Sequence, residues 1–201
     1  MTIAQLDLNV LAILPQLIVL AAAAAILLLD AFWDHADKVP LAVIALVAHA
    51  AAYCAAFRLW DGVGFAFAGT VVSDGYALFF DFVLLIAAAL SILLSLDYTR
   101  RMRIARGEYY ALLLLATAGA MVMASAADLI IAFIGLEMLS IALYLLAGFA
   151  RGDRRSQEAA LKYFLLGAFA SAFFLYGIAL ACGATGSTNL AGIAASWTPG
   201  A

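Results

Sequence analysis

Four titratable side chains stand inside long apolar runs of this 201-residue sequence: His49, Asp81, Glu137 and Lys162. A charged group near a bilayer centre costs about 2.5–3.5 kcal/mol on insertion scales, so such residues usually face a bundle interior and often serve an ion path. Glu137 lies close to the middle of its run, about 18 Å from the end marked by Phe149 at 1.5 Å per residue. No loop reaches it there, so it must be protonated, paired or hydrated. Ser140 and Tyr144 follow on roughly the same helix face and can supply hydrogen bonds or hold water. A neutral glutamic acid used only for helix association is the competing reading. Lys162 is only about 9 Å past Ser156, and its ammonium can snorkel to the headgroups. His49 sits among alanines, where a lone histidine is more often a hydrogen-bonded packing residue. It stands as a candidate for hydration or hydrogen-bond support. Asp81, five residues from Tyr76, reads as a capping or hydrated group near an interface.

The elements that must position these residues are membrane helices. Of the residues 68% are hydrophobic and 11% charged, against about 45–50% and 25% in soluble domains, and mean hydropathy is +1.12. A span needs about 20 mostly apolar residues, and the chain supplies six: 11–29, 41–60, 76–96, 109–127, 129–150 and 159–182. The sequence therefore predicts an all-α integral membrane protein with one membrane domain. The fourth and fifth helices, joined by Ser125-Ala126-Ala127-Asp128, form a tight antiparallel hairpin with Asp128 as N-cap. Gly167 and Ser171 on helix 6, and Ala21 to Ala25 on helix 1, permit close helix approach. The segment 183–188 breaks helix 6, and Asn189 to Trp197, too short to span, is placed along the interface. The ending at Thr198-Pro199-Gly200-Ala201, with no element that closes a bundle, reads as a truncation. Met1 to Asn9 has no basic n-region and carries Asp7, which argues against a cleavable signal.

Lys and Arg are unevenly shared between the loops, and the richer side is cytoplasmic. Loops after helices 1, 3 and 5 hold Lys38, Arg100, Arg101, Arg103, Arg106, Arg151, Arg154 and Arg155, and the opposite side holds Arg58 alone. The amino terminus is thus placed on the non-cytoplasmic side. The net charge of -3 gives nucleic acid binding no support. Cys54 and Cys182 lie in apolar runs and read as reduced thiols. No metal site, phosphate loop, nucleophilic triad or dinucleotide fingerprint is present, so no redox site is expected in this chain.

One block is specific enough to carry a resemblance: Gly135-Leu136-Glu137-Met138-Leu139-Ser140, Leu143-Tyr144, then Glu158 to Ala168, then Leu175-Tyr176-Gly177. Lesser matches are Leu14-Pro15, Leu29-Asp30 and Asp74 to Phe80. The chain resembles the subunit N family of proton-pumping NADH:quinone oxidoreductase, respiratory complex I, over its whole length. That resemblance implies the amino-terminal part of an antiporter-like fold of about fourteen helices with inverted repeats. It implies proton-translocation roles for Glu137 and Lys162, coupled electrostatically: a lysine near a buried carboxylate stabilises the anion, and moving it raises the proton affinity. It also implies neighbouring membrane subunits, a bacterial inner membrane, and NADH, FMN, iron-sulfur clusters and quinone bound on other subunits. Gln16, where an acid is common, and Ala142, where proline is frequent, depart from the family pattern. The alternatives are a cation/proton antiporter or membrane hydrogenase subunit, and a structural membrane spacer.

Overall fold

The computed structural model describes residues 9–32, 38–60, 62 and 64–196. The expectations for residues 1–8, for Trp197 and for the ending at 198–201 lie outside them. Six helices are long and apolar enough to cross a membrane: α1 (Leu14–Phe32, entered by a 3-10 turn at Val10–Ile13), α2 (Val39–Arg58), α3 (Gly75–Arg101), α4 (Gly107–Ala124), α5 (Leu129–Ala147) and α6 (Arg154–Thr185). A short α7 (Leu190–Ser196) follows. The protein is a multi-pass integral membrane protein.

Helix starts follow local chemistry. Pro15 and Pro40 sit in first turns, where a missing N–H leaves nothing unsatisfied. Asp74, Asp128 and Asp153 cap α3, α5 and α6 by accepting the N–H groups of Ala77, Ile130 and Arg155 at 2.8, 2.8 and 2.9 Å. Gly186 ends α6 at φ 73°, a conformation that only glycine enters without strain. Two bounds matter for function. Helix α6 begins at Arg154, not Ala159, because Asp153 caps it five residues earlier. Helix α5 stops at Ala147, where Gly148 takes its last turn.

A two-stranded antiparallel hairpin, β1 (Gly64–Ala66) with β2 (Val71–Ser73), lies in the α2–α3 connection, where the sequence shows only a Gly-containing link. Its turn holds Phe67, Ala68 and Gly69 at positive φ, and lacks the Asn-Gly or Asp-Gly pair that announces a hairpin. The hairpin is welded to the α4–α5 turn: Val72 N–H donates to the Ser125 carbonyl and Ala127 N–H to the Thr70 carbonyl, both at 2.9 Å. The segment after α6 joins the same surface. Thr188 Oγ1 donates to Asp128 Oδ2 at 2.7 Å, Leu190 N–H to the Ala127 carbonyl at 3.0 Å, and Asn189 Nδ2 to the Gly69 carbonyl at 2.9 Å. It is a strap across the hairpin end of the bundle, not a free interfacial segment.

The opposite end carries the arginines. There Asp30 accepts the Gly107 N–H at 3.0 Å and pairs with Lys38 at 2.7 Å, tying α1 to the starts of α2 and α4. Between the two ends the core packs Val19, Ala23 and Ile26 of α1, Leu41 and Ala45 of α2, Leu85 and Ile92 of α3, and Leu114 and Met121 of α4. Half of the apolar window of α4 is buried but 6% of that of α6, so α4 is the centre and α6 the edge. Asp81 departs from the interfacial reading: it is 1% exposed and faces Gln16 of α1, because its side of α3 packs inward.

Candidate functional site

Helix α5 is apolar on every side, so packing rather than periodicity decides where Glu137 points. On one side α5 lies against α4 with no side chains between the backbones. A Cβ on Gly135 would stand 2.7 Å from Met123 N and 2.8 Å from the Gly119 carbonyl oxygen, and one on Gly119 2.6 Å from Leu139 N. On another side α5 meets α6, in a register fixed near the arginine end, where a Cβ on Gly148 would stand 2.8 Å from Ala160 Cβ. The two helices run antiparallel. Eleven residues back from Gly148 is Glu137, and eleven on from Ala160 is Ser171.

The side chains confirm this register. Ser171 Oγ donates to Glu137 Oε1, and the Phe133 and Phe174 rings meet farther along at 6.0 Å. Glu137 is the ninth of nineteen α5 residues, half-buried against α6. Its partner is therefore a serine that the sequence marks only as a packing position. Counting both helices outward from their connecting turn is the one signal that points to it. The Ser140 hydroxyl makes no hydrogen bond among the described residues. Tyr144 lies two turns from Glu137 on the same face, its ring perpendicular to Tyr163 at 4.8 Å and near Phe164 at 5.8 Å. Its hydroxyl rests on Gly167, where a Cβ would collide with it. The small residues of α6 thus seat the two polar groups of α5.

Lys162 is not part of this contact. Nine positions separate it from Ser171, which at 100° per residue puts it half a turn away from α5 and about 13 Å nearer the arginine end. It pairs with Glu158 at 2.5 Å, their side chains 69% and 64% exposed. Lys162 and Glu137 make no direct contact within these helices, which leaves the expected coupling through water rather than a tight salt bridge as a proposal. His49 is brought to neither. It is buried on α2, with Nδ1 2.8 Å from the Ala45 carbonyl oxygen, beside a cavity of about 310 Å³ whose other wall is Leu85, Ile86 and Ala89 of α3.

A recess of about 650 Å³ at the arginine end runs between α1, α4, α5 and α6. The Glu108–Arg151 pair, at 3.3 Å, borders it, and Tyr144, Leu145 and Ala160 form part of its wall. From Tyr144 to Glu137 is about 10 Å along α5. Cys54 and Cys182 are free thiols. Among the described residues no three of His, Cys, Asp and Glu gather to hold a metal.

Residues 126–198, which include Glu137, Lys162 and Ser171, match the family described as NADH:quinone oxidoreductase/Mrp antiporter, TM. The chain is 43% identical over 189 residues to NADH-quinone oxidoreductase subunit N of Trichlorobacter lovleyi, covering 94% of this chain and 38% of that protein. It is 44% identical over 199 residues to the subunit N of Chloroflexus aggregans, with 97% and 40% covered. Among solved structures it is similar to a chain of respiratory complex I from Thermus thermophilus (TM-score 0.75, 36% identity, 94% of this chain and 39% of that one). It is also similar to a chain of an archaeal membrane-bound sulfane sulfur reductase (TM-score 0.76, 27% identity, 92% and 39%). The chain spans about two fifths of the length of the curated relatives it matches. Six membrane helices, the α5–α6 contact at Glu137 and these likenesses place the chain in the family of antiporter-like membrane subunits to which the subunits N of NADH-quinone oxidoreductase belong.

Proposed function

We propose that this chain works as part of subunit N of a proton-translocating NADH-quinone oxidoreductase, with Glu137 as a proton-carrying group. The observation that carries the reading is a carboxyl in the middle of a membrane helix, held by a serine hydroxyl of the next helix and by no cation among the described residues. Such a group exchanges one proton at small structural cost, because Ser171 can donate to the anion and to the carbonyl oxygen of the acid. The recess ending near Tyr144 supports access from the arginine end. Lys162 acts in this reading from the other face of α6, moving its charge between Glu158 and a group beyond it. Ser140, Tyr144 and His49 remain supporting polar groups at most. NADH, FMN, iron-sulfur clusters and quinone are assigned to other subunits, with which this one shares a bacterial inner membrane. The test is proton translocation by the assembled complex carrying Glu137→Gln: loss is the expected result, and the parental rate overturns the assignment.

A second reading, an ion-translocating subunit of another respiratory complex or antiporter, is favoured by the TM-score of 0.76 to the sulfane sulfur reductase chain. Sequence identity favours the first reading, at 27% there against 43% for the subunit N of Trichlorobacter lovleyi.

The eight cations at the arginine end support a topology with that end in the cytoplasm and the hairpin end outside. With Cys54 and Cys182 replaced by alanine, a cysteine at Gly152, an exposed position with no atom within 4 Å of its added Cβ, should resist an impermeant thiol reagent applied to intact cells. It should react in inverted vesicles. Efficient labelling of intact cells reverses the topology.

A further inference from the structure

The hairpin half of the bundle holds a buried carboxyl, Asp81, that is not part of the Glu137–Ser171 contact. Asp81 is the seventh residue of α3 and 1% exposed, and Gln16 is the third of α1 and 5% exposed. Gln16 Nε2 donates to Asp81 Oδ2 at 3.3 Å. The remaining oxygens of the same two groups, Gln16 Oε1 and Asp81 Oδ1, are shut off from solvent and have no hydrogen-bond partner among the described residues. No cation pairs with Asp81 there. The ion pairs of the described residues join Asp30, Asp97, Glu108 and Glu158 to Lys38, Arg101, Arg151 and Lys162.

An ionised Asp81 leaves a full charge in an apolar bundle with one amide hydrogen against it and an unmatched amide oxygen beside it. That arrangement is unfavourable on both counts. A single proton removes both faults. Placed on Asp81 Oδ1, it neutralises the charge and gives Gln16 Oε1 the donor it lacks, so the carboxyl and the carboxamide each give and accept one hydrogen bond. Exchanging the two ends of the Gln16 amide, which are indistinguishable by shape, changes which oxygen carries the proton and not the need for it.

We propose that Gln16 and Asp81 form a proton-binding site, an acid–amide clasp between α1 and α3 that holds one proton at neutral pH. Gln16 also lines a cavity of about 320 Å³ enclosed by α1, the hairpin, α4 and α5. The clasp therefore borders a space whose wall on the hairpin side includes Thr70 and Ser125. This site stands whether or not Glu137 moves protons.

The experiment is infrared spectroscopy of the assembled complex at neutral pH, with and without carboxyl-labelled aspartate. A protonated-carboxyl C=O band that shifts with the label and vanishes in Asp81→Asn is the expected result. Absence of any such band dependent on Asp81, or a carboxylate signal in its place, overturns the proposal. A second measurement compares amounts of assembled subunit. Asp81→Asn should assemble at the parental level, because its side-chain N–H replaces the acid proton as donor to Gln16 Oε1, while Asp81→Ala should assemble several-fold less. Equal losses in the two variants mean that the carboxylate itself is required, and the clasp is wrong.

Discussion

Glu137→Gln should leave the complex assembled and lower its proton translocation by roughly tenfold or more, the scale set by losing a positioned proton-transfer group. Glutamine keeps the length and polarity of the side chain, and its carbonyl oxygen can still accept the Ser171 hydroxyl that now meets Glu137 Oε1. Packing between α5 and α6 is then undisturbed, and only the titrating proton is gone. Glu137→Asp keeps the proton but withdraws it by one methylene from Ser171, so its loss should be smaller. Ser171→Ala leaves the carboxyl without its donor and should fall between the two. The measurement is NADH-driven proton uptake by inverted vesicles, scored with quinone reduction and with the amount of assembled complex. A structural spacer predicts parental pumping in all three variants at parental assembly, and that outcome sinks the proposed role.

Gly135→Val should be more severe still, because it acts on the fold. Its Cβ would fall 2.7 Å from Met123 N and 2.8 Å from the Gly119 carbonyl oxygen, both backbone atoms of α4. Overpacking usually costs about 1–3 kcal/mol where side chains can turn aside, but a helix backbone cannot, so α5 must leave α4. We expect assembled subunit to fall by about an order of magnitude or more, since 1.4 kcal/mol already changes an equilibrium tenfold. Gly119→Val should behave alike, its Cβ meeting Leu139 N at 2.6 Å. Gly152→Ala is the control, for nothing lies within 4 Å of its added Cβ. Blue-native electrophoresis reads all three, and parental assembly of Gly135→Val would refute the back-to-back packing. Since Gly135 lies two residues from Glu137, the milder Gly135→Ala should also disturb pumping where it assembles.

The helices were legible because each is a long apolar run, and their caps because aspartate before such a run has one local use. The four-residue link between α4 and α5 announced their close pairing for the same reason. Rotation about each helix axis was not legible. Apolar residues surround α5 and α6 almost uniformly, so no stripe tells which face meets a neighbour. Lys162 and Glu137, joined by family pattern, therefore sit on non-facing surfaces, while Ser171, read as packing, is the group that touches the carboxyl. Asp81 illustrates the same gap: its depth along α3 suggests an interface, and only its rotation toward Gln16 buries it. The hairpin was hidden by a turn of Phe67, Ala68 and Gly69 at positive φ, and its strands are held by Ser125 and Ala127, more than fifty positions away.

The strap across the hairpin end has a consequence for biogenesis. Asn189 reaches a carbonyl 120 residues earlier in the chain, a stretch that takes roughly 6–24 s to synthesise at about 5–20 residues per second. The Gly69 carbonyl waits through that interval, and the Ala127 carbonyl and the outer oxygen of Asp128 through its second half, for donors that arrive only after α6 has been made. Emerging helices can settle in the membrane one pair at a time, but this surface closes in a single late event. Completion of α6 is thereby recorded at the hairpin end of the bundle as the sealing of polar groups left open by the α4–α5 turn and the hairpin, a chemical difference between a half-inserted chain and a finished one.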